Sequence, residues 1–130
     1  MSQQSDMIAE VAAAQIKHLK WRSHLAAAIA QGRSEFTPEK AGCDKSCDFG
    51  RWFHGAAIPP DLKAGKGWQA IDAAHAAFHA TAAQVLGLAL AGRADEARTM
   101  MGGAFAERAD RVLKALSLWK LDLATGRAQP

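Results

Sequence analysis

The sequence predicts an all-α protein, a bundle of three long helices with short helical inserts in the loop between the first two. Three observations predict it. Apolar residues recur at steps of three and four along three stretches, the spacing of one helix face. Tyr is absent and β-branched residues are sparse among the 130 residues, which disfavours strands. Glycines stand just past the end of each long stretch, where helices commonly stop.

The first helix is expected over about residues 3–31, with Ile8, Val11, Ala14, His18, Trp21, Leu25 and Ile29 on one face and Gly32 as its stop. The second runs from about 67 to 91, its face drawn from Ile71, His75, Phe78, Ala82, Val85 and Ala89, with Gly92 beyond it. The third runs from about 93 to 125, with Phe105, Ala109, Val112, Leu116, Trp119 and Leu123 as the cleanest seam. Gly102-Gly103 marks a bend near its start, because paired glycines loosen a helix.

The connection of about 35 residues after the first helix is long for a compact domain, and such loops are often functional. Thr37-Pro38 reads as an N-cap followed by Pro at the first helical position. Ser46 is placed to cap a second short helix from Cys47 to about His54, and Gly55 and Pro59-Pro60 force an irregular continuation.

Composition narrows the function. Length fits a single domain over residues 1–130. Hydrophobic residues make up 49%, many of them alanine, which suits close-packed helices. The net charge of +3 comes from scattered basic residues and not from a patch interleaved with aromatics, so nucleic-acid binding is not expected. The polar N-terminus lacks the order of a signal peptide, and no apolar run reads as a membrane span, so the expected home is the cytoplasm and membrane contact is not expected. Cys43 and Cys47 are then expected as reduced thiols.

Four side chains carry the chemistry. His75 and His79 lie one helical turn apart and project the same way, with about 5–6 Å between their Cβ atoms. His18 sits seven residues from both Val11 and Leu25, so it faces the first helix's seam. Cys47 lies in the run Ser-Cys-Asp-Phe-Gly-Arg-Trp-Phe, where a short helix start is expected to favour its thiolate. Three imidazoles and one thiolate complete a tetrahedral zinc site, one ion per chain, and a soft sulfur ligand selects zinc over magnesium or calcium. Phe49, Trp52 and Phe53 supply apolar anchors for the loop, and Gly50 permits close approach. His24 reads as surface or groove, His54 as a solvated helix end, and Asp72 as an exposed carboxylate placed to reach a ligand ring.

These motifs, His-x-x-Trp-Arg, Cys-Asp-Phe-Gly-Arg-Trp-Phe and His-x-x-x-His, resemble the chemoreceptor zinc-binding domain over roughly residues 8–90. The resemblance implies a cytoplasmic, helical, typically dimeric bacterial module whose zinc is held by His18, Cys47, His75 and His79. It also implies control of chemoreceptors or diguanylate cyclases in response to zinc or to oxidants such as hypochlorous acid, with Cys47 as the redox-reactive group. No signalling coiled coil or cyclase domain is present in the 130 residues, so output is expected in trans. Leu19 and Leu113 offer second apolar stripes for a homodimer. A purely structural zinc site remains an alternative. A metallohydrolase is disfavoured, because Ala, Ala and Phe lie between His75 and His79 and supply no general base.

Overall fold

The computed structural model describes residues 3–45 and 47–126, and the side chains of residues 3 and 4 are outside that description. Three long helical stretches dominate it, and no strand occurs among the described residues. Helix α1 spans Gln3–Gln31, and α5 spans Lys66–Leu90. The third stretch is continuous but not uniform: α6 (Ala94–Met100) passes through a π turn (Met101–Phe105) into α7 (Ala106–Thr125). The bend expected at Gly102-Gly103 is therefore a widened turn inside an unbroken helix. Gly32, Gly92 and Gly126 all have positive φ at the stops expected of them.

The three seams pack as their spacing dictates. Every residue named on the α5 seam is buried, as is every residue named on the third. On α1, Val11, Ala14, His18, Leu25 and Ile29 are buried, while Ile8 and Trp21 are half-buried. Helix α5 is the centre of the bundle, packed against α1, α7 and the short α2 (Pro38–Gly42). Helices α1 and α7 are tied by the Gln15 amide, which donates to Ser117 Oγ at 2.8 Å and accepts from Lys120 Nζ at 3.0 Å.

Helix α5 is long and apolar enough to cross a membrane by length and composition, with a mean hydropathy of 1.2, although the sequence reading found no such run. Half of that window is buried inside the bundle, as expected of a core helix.

The long connection is mostly helical turns. Thr37 caps α2 as expected, its Oγ1 accepting from Lys40 N at 3.2 Å, with Pro38 at the first helical position. Helix α3 covers Asp48–Phe53 and α4 covers Pro60–Lys63. Cys47 is the N-cap of α3, so the helix begins one residue later than expected. The capping role read for Ser46 lies outside the described residues.

An aromatic column fixes α3 to the bundle. Phe49 stacks on Phe53 at 4.9 Å between centroids, and Phe53 stacks on Trp68 of α5 at 4.5 Å. Trp68 Nε1 donates to the Phe53 carbonyl at 3.2 Å, and Trp119 of α7 meets Phe53 edge-on at 5.9 Å. Each buried aromatic contributes a large apolar area, and the indole N–H finds the partner that burial demands.

Candidate metal centre

Helix α5 places His75 and His79 on its buried seam, with side-chain exposures of 0% and 1%. Their Nε2 atoms lie 3.0 Å apart. His18 reaches the same point from α1, 5% exposed, its ring meeting His75 edge-on at 4.9 Å. One ring nitrogen from each of the three lies within 4.8 Å of the others. The fourth group arrives from the connection: Cys47 Sγ is 3.6 Å from His75 Nε2. Donors at zinc bond lengths in a tetrahedron stand about 3.3 Å apart for nitrogen pairs and about 3.6 Å for a nitrogen–sulfur pair. The His75–His79 and His75–Cys47 separations fit that frame.

Two rings are held by carbonyls that leave Nε2 aimed inward. His18 Nδ1 is 2.7 Å from the Ala14 carbonyl of its own helix, and His79 Nδ1 is 2.8 Å from the Ala41 carbonyl of α2. A carbonyl oxygen only accepts, so each Nδ1 carries the proton and each Nε2 presents its lone pair. Ala41 lies at the end of a five-residue helix, whose last carbonyls have no partner within the helix. His75 differs. Its Nδ1 is buried with no hydrogen-bond partner among the described residues, and the ring is held by packing against Phe49 at 5.0 Å and the other two imidazoles.

Burial keeps this trio uncharged. Desolvation lowers His18 to about 4, with the Ala14 carbonyl opposing and His79 adding a small repulsion. Desolvation, then repulsion from the other imidazoles, lowers His75 to about 2. Burial also lowers His79, against the Ala41 carbonyl and Asp44. Neutral imidazole is the form that binds a metal, so the pocket holds its nitrogens ready at neutral pH.

The thiol corrects an expectation. A helix start was expected to draw Cys47 toward thiolate, yet burial pushes its pKa up, and the Asp44 and Asp48 charges add to that. The Gly50 and Phe49 N–H groups oppose the rise without overcoming it. Helix α3 has only six residues, so its dipole is short. Gly50 N still donates to Sγ at 3.2 Å, and the sulfur lies 3.6 Å from the Asp44 carbonyl, which fixes its aim. A coordinated cation would favour the thiolate against this burial.

The remaining candidates stand aside from the centre. Cys43 is exposed at the end of α2. His24 is exposed and faces a groove beside Trp21 and Phe36. Asp72 does not reach a ligand ring: its Oδ1 lies 3.0 Å from His54 Nε2, so His54 is half-buried against a carboxylate instead of solvated. Sequence reasoning missed the Ala14 and Ala41 carbonyls, because backbone acceptors carry no residue signature.

No curated protein and no solved structure matches the chain. Residues 18–86, just over half of the sequence, match a family described as the chemoreceptor zinc-binding domain. The matched span opens at His18 and takes in Cys47, His75 and His79. A helical protein with this buried donor cluster and this match belongs to the chemoreceptor zinc-binding domain family, a zinc-binding domain of chemoreceptor-type signalling.

Proposed function

We propose that the protein is a regulatory zinc sensor in bacterial signal transduction, with one zinc per chain held by His18, Cys47, His75 and His79. The observation that supports this is the buried cluster of His18, His75 and His79 from α1 and α5, with Cys47 Sγ, at the cap of α3, 3.6 Å from His75 Nε2. The ion would supply charge to hold the Cys47 thiolate and would clamp the connection onto the bundle. The site would be filled wholly by protein ligands, which favours control or structure over catalysis. The module acts from the cytoplasm on the output of a chemoreceptor or diguanylate cyclase.

Loss of the ion, or oxidation of the sulfur, frees the α2–α3 segment from its anchor at Cys47 and alters the surface offered to a partner. The rest of the bundle has its own seams, so a sensor is favoured over a purely structural clamp. Exposed Ile16 and Leu19 on α1 with Leu118 and Leu121 on α7 support a homodimer through that face.

Metal analysis of the purified protein before and after hypochlorous acid tests the reading. One zinc per chain, released on oxidation while the helices remain, is the expected result. Absence of zinc in protein refolded with excess metal, or release only with global unfolding, would overturn it.

A further inference from the structure

A cavity of about 350 Å³ opens beside the histidine trio, much larger than a single ion needs. Its inner wall is formed by Cys47, His18 and His79, and the rest lies outside the metal centre. Lys17, Lys20, Trp21 and His24 of α1 follow one another at steps of three, one and three, so a single helix face looks into it. Phe36, from the α1–α2 connection, completes the far side. Its ring lies 5.1 Å from both Trp21 and His24, which are themselves 5.7 Å apart. Phe36 is set in place by its own N–H, which donates to Ser34 Oγ at 3.0 Å.

This arrangement has the size and make-up of a small-molecule site: about 300 Å³ or more, mostly apolar and aromatic, with a few polar groups. Trp21 and Phe36 are half-buried rings in contact with each other, and both line the cavity. Its rim is cationic. Asp48 is shared between Lys17 at 2.7 Å and Arg51, whereas Lys20 has no ion-pair partner among the described residues. An aromatic wall next to an uncompensated ammonium fits a planar body carrying one negative charge.

We infer that the Trp21–His24–Phe36 cleft binds a small aromatic carboxylate, with the ring laid against the wall that Trp21 and Phe36 form together and the carboxylate at Lys20. A ligand so placed lies against Cys47 and His79 and couples a second chemical signal to the metal centre.

The test is calorimetric titration of the zinc-loaded full chain with 2-naphthoate and, separately, with neutral 2-naphthol, zinc being measured on the same samples. Saturable naphthoate binding at one per chain is expected. Lys20→Gln should weaken naphthoate about fivefold or more and leave naphthol unchanged. Phe36→Leu and Phe36→Ala should weaken both, with helix content and zinc unchanged in at least the leucine variant. Absence of saturable naphthoate binding at millimolar concentration, or equal effects of Lys20→Gln on the two probes, would overturn the inference. A sample that fails to take up zinc speaks against the sensor reading instead, so the two failures are read separately.

Discussion

Gly50 runs its α-carbon against the backbone carbonyl of Asp44, so that a Cβ added there would overlap that oxygen and crowd the Asp44 carbonyl carbon and Lys45 Cα. The turn that aims the Cys47 sulfur is thus built on backbone-to-backbone contact, which no rotamer change relieves. The same glycine supplies the N–H that the sulfur accepts.

Gly50→Ala is therefore expected to displace the 44–50 turn and cost about 2 kcal/mol or more in stability. Zinc affinity should fall together with the melting temperature. Competition with a chromophoric chelator and thermal melts check both. A variant with unchanged affinity would mean that the turn has another way to present its sulfur.

Cys47→Ala should weaken zinc binding by about 100-fold or more, since loss of groups that merely orient ligands already costs about 10–100-fold. Cys43→Ala, at an exposed position, should leave affinity within about twofold. Equal losses from the two variants would contradict the assignment.

The metal-free protein should lose stability as pH falls below the ordinary histidine range. His18, His75 and His79 have folded-state values below the unfolded 6.5, so the unfolded chain binds protons first. Their penalty is absent above about pH 6.5 and grows as pH drops toward about 4, where His18 itself titrates. Each neutral imidazole adds a slope of about 1.4 kcal/mol per pH unit in that window. Denaturant titrations of the apo-protein at pH 7.5, 6 and 5 should show falling midpoints. Midpoints that stay level would show that the trio is solvated.

Leu118→Glu with Leu121→Glu should convert the proposed dimer to monomer without loss of helix content, because both side chains are more than half exposed. Light scattering reads the mass directly. A wild-type chain already monomeric at high micromolar concentration would dismiss this face as an interface.

Much of this architecture was legible because helical spacing reports burial directly. Ile71, His75, Phe78, Ala82, Val85 and Ala89 needed only their intervals to be placed in the core, and the same intervals aimed the imidazoles. The thiol was harder. Its position in a short motif pointed to the metal, but its protonation is decided by tertiary burial, which residue order does not encode. Asp72 illustrates the same limit: its spacing from His75 was right for a ligand contact, yet His54 arrives from α3 and takes the carboxylate. Backbone acceptors such as Ala41 and Ala14 were invisible, since any residue presents a carbonyl.

The π turn at Met101–Phe105 also sets the phase of everything that follows it. Ala97, Phe105 and Ala109 face inward at intervals of eight and four, a rhythm that drifts off a regular helix by about 40° for every four residues. One surplus residue in the widened coil absorbs that drift, so the two ends of the rod meet the same neighbour. The rod is a shaft with a built-in angular offset, and that offset keeps both of its halves turned toward α5.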